Sequence, residues 1–182
     1  MHRSLLLPFV IALIAGPAFG ELKNGDFSAG KTDWRGQGKV EKTDGANVLS
    51  VALAKFNFTE VSQVFKMPPA TKRIKVTLQV KASTDFVFND KSRNISDVDF
   101  KPTGSYTWSA LVHPKSDFHI RVKAPESEYE YKMVKVPAGD WTTLTAEIRG
   151  LKKPNAIDLA LVFPPGDGTM MVKQVKVEEL KE

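Results

Sequence analysis

The sequence predicts an all-β protein, an antiparallel sandwich or barrel, from three observations. Apolar and polar residues alternate in several separate runs, the runs are divided by turns rich in Pro and Gly such as 67–69, 137–140 and 164–168, and no stretch after residue 20 has a helical period. Alternation with a period of two places one face of a strand against a core. Many short strands joined by such turns favour antiparallel architecture over folds with crossover helices.

Six runs predict the main strands. Four have clear alternation, at 74–80, 118–122, 144–148 and 157–163. A shorter run consists of every second residue in 49–53. The last is the least regular: Met171, Val175 and Val177 share one parity, and Lys173 interrupts them. We expect the apolar members of each run to face a common core.

The first twenty residues have the pattern of a secretory signal. Met1-His2-Arg3 is a short basic start, residues 4–15 are almost wholly apolar, and Ala18-Phe19-Gly20 offers small residues where a signal peptidase cleaves. The apolar stretch is shorter than the roughly 20 residues of a membrane-spanning helix. The alternative to a cleaved signal is a membrane anchor that is never removed. We predict a signal peptide over 1–20, a secreted or periplasmic location, a single domain over 21–182 and no transmembrane segment after cleavage.

Composition excludes several classes of function. The chain has no Cys, so it has no disulfide, no lipid-anchor cysteine and no Cys nucleophile. Its 26 Lys and Arg outnumber its 21 Asp and Glu, but the lysines are spread along the chain without a run of like charges. This pattern is typical of a solvated surface and predicts no nucleic-acid partner. It is compatible with a mild attraction to acidic polymers.

Four motifs occur in a characteristic order. The chain after the signal opens with Asn24-Gly25-Asp26-Phe27, then Gly30 and Trp34. The segment 60–69 leads to Lys81-Ala82-Ser83, the segment 134–142 contains Gly139-Asp140-Trp141, and 168–177 closes the domain. Together these motifs resemble carbohydrate-binding modules of families four, nine and twenty-two. The resemblance covers nearly all of 21–182 and implies their galactose-binding-domain-like fold, a two-sheet β-sandwich of jelly-roll type.

The aromatic residues of these motifs are predicted to pack rather than to bind. Gly25 permits a turn that other residues would strain, and Asp26 can hydrogen-bond its own turn. We expect Phe27 and Trp34 to fill the core, and Trp141, placed between a turn and a strand, to be a packing residue. Of the three Trp residues, this leaves Trp108 as a candidate for a binding surface.

The resemblance also raises the question of calcium. Members of these families often carry an acidic residue after the Phe of the opening motif and an Asp in the last strand, and both help to bind a structural calcium. Here the positions hold Ser28 and a strand with Lys173 and Lys176. Calcium prefers several oxygen ligands with negative charge. We predict no metal or other cofactor; Asp26 and the carbonyl groups around it are the remaining candidate ligands.

A sugar-binding face requires flat aromatic rings and fixed polar groups in a concave site. Three pairs of residues lie two apart, so each pair points to one side of an extended segment. These pairs are Tyr106 and Trp108, Tyr129 and Tyr131, and His119 and Arg121. If the strands share a sheet, they predict an aromatic groove with Glu128 or Glu130 nearby. The alternative is that the tyrosines are half-buried strand residues and that His119 and Arg121 are ordinary solvated positions.

The segment 85–116 is the least regular part of the chain and carries Tyr106 and Trp108. A long irregular segment within a compact domain is either functional or loosely ordered. Whether it forms the groove or covers it is left open by the sequence.

Catalysis has less support than binding. Glycosidases need two opposed carboxylates, and the run Glu126, Glu128, Glu130 is more typical of a wet strand face. The chain has no Gly-x-Ser-x-Gly elbow, and His113 and His119 lack a third ligand at a zinc spacing. We therefore predict a protein that is not an enzyme.

The leading hypothesis is a secreted, non-catalytic protein that binds an oligo- or polysaccharide by aromatic stacking on one sheet face. The alternative is a protein-interaction or cell-envelope structural module on the same fold. A third hypothesis is an enzyme that uses the acidic run.

Overall fold

The computed structural model describes residues 21–89, 118–127, 130–134 and 136–181, with the backbone alone for 130–134. The predicted all-β architecture is confirmed: these residues form antiparallel strands and contain no helix. The described part of the chain accordingly has no helix that is long and apolar enough to span a membrane. The strands are β1 (Arg35–Gly36), β2 (Lys39–Thr43), β3 (Ala46–Ala52), β4 (Thr59–Phe65), β5 (Ile74–Ala82), β6 (Val87–Phe88), β7 (Phe118–Lys123), β8 (Glu130–Val134), β9 (Thr142–Ile148), β10 (Ile157–Phe163), β11 (Gly166–Asp167) and β12 (Thr169–Glu179).

Two five-stranded antiparallel sheets form the sandwich. The first, called sheet A, has the order β1-β4-β10-β7-β8, and the second, called sheet B, has the order β2-β3-β12-β5-β9. A small two-stranded sheet pairs β6 with β11. Most neighbours within each sheet are distant in sequence, as in a jelly roll, where successive strands alternate between the two layers. The fold is therefore an all-β, antiparallel jelly-roll sandwich.

The core lies between the inner faces of the two sheets, and the clear alternating runs supply it. Every core-facing apolar member of the four clear runs is buried, with at most 4% of its surface exposed. Phe27 and Trp34 also belong to this core, with ring centroids 5.6 Å apart and exposures of 0% and 4%. Their predicted packing role is confirmed. Burial of one such side chain contributes about 1.5–3 kcal/mol, so this layer is the main source of stability.

The opening turn is attached to the last strand. The N–H of Val175 in β12 donates to the Gly25 carbonyl at 2.8 Å. The Asn24 side chain donates to the Gly30 and Thr32 carbonyls at 2.8 and 2.9 Å and accepts from the Ala29 N–H. The first segment thus docks beside β12 and brings Phe27 into the core.

The prediction for the last strand was wrong at Met171. Gln174 has a left-handed backbone with φ of 55°, and the pairing of β12 with β5 shifts between Lys173 and Lys176. The bulge adds one residue to β12, so the side chains after it point to the opposite face from the one that simple alternation would give. Even-numbered residues face the core before the bulge, and odd-numbered residues face it afterwards. Met170 and Val172 are buried before the bulge and Val175 after it, whereas Met171 lies on the outer face of sheet B.

The predicted division into a signal peptide and a single domain stays a prediction. Residues 1–20 lie outside the described residues.

Candidate functional site

The outer face of sheet A gathers polar side chains from three adjacent strands. Val162 of β10 lies between Glu60 of β4 and His119 of β7, as their pairing shows. Two residues before Val162 on the same strand, Ala160 pairs with Arg121 of β7 on one side and with a residue of β4 on the other. Because directly opposed residues in antiparallel strands share a face, these positions form one continuous surface.

An ion pair spans this surface. Arg121 donates from Nη2 to Oε1 of Glu60 at 2.7 Å, and the two side chains are 24% and 39% exposed. The pair crosses β10, where Ala160 is fully buried although it lies on the outer face. A small side chain on the middle strand allows the longer side chains of both neighbours to meet above it.

An aromatic contact adjoins the ion pair. The rings of Phe58 and His119 are tilted by 45°, with centroids 5.4 Å apart. Phe58 was not among the predicted site residues. It lies two positions before Glu60, so the parity of that segment would have placed it on the same face.

Two buried polar atoms on this face have no hydrogen-bond partner among the described residues: Nε of Arg121 and Oδ1 of Asp158. Asp158 lies on β10 two positions from Ala160, so it is a diagonal neighbour of Arg121, at about 7–8 Å between backbones in such pairs. Buried polar atoms are rarely left unpaired, so each such atom needs an explanation. One atom donates and the other accepts, which matches hydroxyl groups, since these do both.

Two of the predicted site residues have described side chains on the outer face of sheet A. His119 and Arg121 lie on it together, and the partner of Arg121 in β8 is Tyr131, whose backbone alone is described. Tyr106, Trp108 and Tyr129 lie outside the described residues, as does Glu128. A binding role for His119 and Arg121 and the alternative that they are ordinary solvated positions both stay predictions; in the structure they contact Phe58 and Glu60.

Of the three glutamates in the acidic run, Glu126 alone has a described side chain. Glu126 is exposed and forms an ion pair with Lys153. It is thus engaged at the surface with a lysine of the 149–156 loop.

Trp141 lies outside the core, contrary to a simple packing role. It is half-buried on the outer face of sheet B, and its indole N–H donates to Oδ2 of Asp44 at 3.5 Å. Nζ of Lys173 lies 4.0 Å and Nζ of Lys81 lies 5.9 Å from the ring centroid. Its position follows from the place of β9 at the edge of sheet B, from which the ring extends over the face.

The oxygen atoms named as candidate calcium ligands at the opening turn already accept hydrogen bonds, and the absence of a metal stays a prediction. Oδ1 of Asp26 accepts from the N–H and the hydroxyl of Ser28 at 3.1 and 2.9 Å, and these bonds lower the pKa of the carboxyl. The Gly25 carbonyl already accepts from Val175. Nowhere among the described residues do three Asp, Glu, His or Cys side chains cluster as metal ligands would.

Comparison with known proteins gives similarity at the level of structure. No protein-family model and no curated protein matches the chain. Among solved structures, the carbohydrate-binding module TmCBM61, in complex with β-1,4-galactotriose, has a TM-score of 0.57 and 16% identity, and the match covers 88% of this chain and 99% of that one. The CBM22-1 xylan-binding domain of Xyn10C from Paenibacillus barcinonensis has a TM-score of 0.51 and 11% identity over 87% and 93% of the two chains.

The same fold occurs outside carbohydrate-binding modules. A Stig cyclase from Fischerella sp. TAU, in complex with an indole derivative, has a TM-score of 0.58 and 13% identity over 89% of this chain and 98% of the cyclase. Identities this low carry the fold alone, and function requires a separate argument from the site. The chain has the jelly-roll fold of carbohydrate-binding modules, as its motifs predicted.

Proposed function

We propose that this chain is a non-catalytic carbohydrate-binding protein that acts outside the cytoplasm and holds a glycan on the outer face of sheet A. The observation that carries the proposal is the pair of unpartnered buried atoms, Arg121 Nε and Asp158 Oδ1, on a face that also has an aromatic contact. A sugar offers hydroxyl groups to such atoms and an apolar ring face to an aromatic side chain.

The polar groups have distinct roles in this proposal. The Glu60 carboxylate holds one end of the Arg121 guanidinium, which keeps the side chain in one orientation without a ligand. Because that geometry exists before binding, less conformational entropy is lost when the sugar arrives. Asp158 accepts from a sugar hydroxyl, and Arg121 donates to a second oxygen.

The aromatic part of the proposed site includes residues that the structure describes and residues that it does not. Phe58 and His119 form a tilted pair at the Glu60 end of the face. We propose that Tyr131 joins from its place opposite Arg121, and that Tyr106, Trp108 and Tyr129 add stacking surfaces.

Isothermal titration calorimetry against soluble glycans tests the proposal. β-1,4-Galacto-oligosaccharides and xylo-oligosaccharides come first, because structurally similar proteins are described with a galactotriose and with xylan. For the glycan that binds, Asp158→Asn and Arg121→Ala should each weaken binding by about tenfold or more, as expected on loss of a charge-assisted hydrogen bond. Trp108→Ala tests the stacking surface.

Thr145→Ala is the matched control, because Thr145 is an exposed strand residue on the outer face of sheet B. It should leave the affinity unchanged. Absence of heat with every glycan, or equal losses in the control and in the sheet A variants, would contradict the proposal. Release of reducing sugar from a bound glycan would instead favour the enzyme hypothesis.

A further inference from the structure

The outer face of sheet B carries a second set of side chains suited to a ligand. A row of directly paired residues crosses the four neighbouring strands β2, β3, β12 and β5. In that order, its members are Lys39, Ser50, Met171 and Lys81. Trp141 directly precedes β9, whose Thr142 pairs with the residue next to Lys81, so the indole extends from the β9 end of this row over the face of the sheet.

A groove of about 490 Å³ follows the other end of the row. Small residues form much of its lining: Gly38, Ser50, Ala52 and Thr169. Lys39 and Met171 provide longer walls, and Met171 is available there because the β12 bulge leaves it outside the core. The groove and Trp141 therefore belong to one strip across the sheet, because Lys173, whose Nζ lies 4.0 Å from the ring centroid, is on β12 two residues from Met171 of the groove.

The charges of the strip are mostly positive. Within the described part of the chain, Lys81 and Lys173 have no carboxylate at ion-pair distance and instead contact the Trp141 ring. Lys39 pairs with Glu41 at 2.8 Å, and the Glu41 carboxylate also lines the groove. A ligand along the strip would meet two lysines and the Asp44 carboxylate near Trp141, and a hydrogen-bond acceptor in the groove.

We propose that this strip binds an acidic polysaccharide, with its carboxylate or sulfate groups at Lys81 and Lys173 and its hydroxyl groups in the groove. The aromatic ring supplies a surface for the apolar side of a sugar. Glu41 places a hydrogen-bond acceptor in the groove, which suits a ligand that brings hydroxyl donors there and its anionic groups to the lysines. The site lies on the opposite side of the sandwich from the glycan face of sheet A and does not depend on it.

Binding of polygalacturonate to the protein tests the inference, measured by titration at about 50 mM salt, where surface charges are weakly screened. Lys81→Ala/Lys173→Ala should weaken binding by about tenfold or more, since charge-assisted contacts are lost. Lys66→Ala/Lys72→Ala is the charge-matched control. Both of its lysines are exposed, and Lys72 lies near the opposite end of β5 from Lys81, about 30 Å away at the rise of a strand.

Loss of binding in the first double variant, with binding kept in the control, would support a localised site. Trp141→Ala should also weaken binding, while Trp141→Phe should retain part of it. Three outcomes would overturn the proposal: no binding of polygalacturonate, equal losses in the two lysine double variants, or equal affinity for double-stranded DNA at the same salt. The last two would indicate attraction by net charge alone.

Discussion

Arg121 of β7 donates to Glu60 of β4 at 2.7 Å across the middle strand of sheet A, although 61 positions separate the two residues in the chain. A double-mutant cycle with Arg121→Ala and Glu60→Ala should give a coupling free energy of about 0.5–1 kcal/mol, because partly exposed ion pairs contribute at this level. Urea unfolding of the four proteins measures it. A coupling of zero would mean that the ion pair does not persist in solution.

The Lys39–Glu41 pair is the control for that cycle, because both residues lie on one strand and the lysine side chain is 74% exposed. Its coupling should be smaller, at about 0.3 kcal/mol or less, owing to solvent screening. An equal or larger coupling there would remove the reason to single out Arg121 and Glu60.

Gly25→Ala should destabilise the fold strongly. A Cβ at this position would lie 2.0 Å from the Val175 carbonyl oxygen, a backbone atom that cannot move without disturbing β12. We expect a loss of about 3 kcal/mol in the free energy of unfolding, which is the range for forced backbone displacement. Urea unfolding with tryptophan fluorescence measures it.

Gly45→Ala separates this steric effect from backbone strain. Gly45 has φ of +76° and open space where a Cβ would be placed. Its substitution should cost about 1 kcal/mol, from the left-handed backbone alone. If Gly25→Ala cost no more than Gly45→Ala, the close contact between the opening turn and β12 would be wrong.

Asp26 should make stability sensitive to acid. Hydrogen bonds from Ser28 lower the pKa of Asp26 below its ordinary value of 3.8. The folded state therefore favours the carboxylate, so this stabilisation is complete above pH 3.8 and is lost as the pH falls through the lower folded pKa. Asp26→Asn should flatten the dependence of the urea midpoint on pH in this window.

Ser28→Ala should reduce the same dependence in part, because it removes the hydroxyl donor and keeps the backbone donor. Ser28→Thr retains a hydroxyl and should behave like the natural protein. A pH profile that Ser28→Ala and Asp26→Asn both leave unchanged would show that the shift does not arise from this turn.

Alternation in the sequence was enough to predict which residues of the regular strands face the core. It was not enough to predict which side chains meet on the outer faces of the sheets. β5 could be predicted because Ile74, Val76, Leu78 and Val80 bury one parity along a straight strand. The position of Met171 could not, because it depends on a left-handed residue in mid-strand that no periodicity marks. On the outer face of sheet A, the sequence placed His119 and Arg121 together because they share a strand, but their contacts with Phe58 and Glu60 depend on strand order.

Removal of calcium should leave the protein unchanged. The Asp26 carboxylate and the Gly25 carbonyl already have hydrogen-bond donors, so we expect EDTA to shift the melting temperature by less than about 1 °C, as linkage requires when no metal binds the folded state. Differential scanning calorimetry with EDTA and with millimolar calcium measures it. Calcium at about 100 times its Kd would add about 2.7 kcal/mol, so a rise of several degrees would reveal a bound ion.

The β12 bulge provides the last prediction. Gln174 is exposed and has φ of 55°, a conformation that glycine adopts without a Cβ penalty. Gln174→Gly should therefore be neutral or stabilise the fold by up to about 1 kcal/mol, whereas Gln174→Val should destabilise it by about 1–2 kcal/mol, because a β-branched residue fits the left-handed region poorly. Urea unfolding of both variants measures the difference. If the valine variant were the more stable, Gln174 would be extended, Met171 would face the core, and the groove on sheet B would lose a wall.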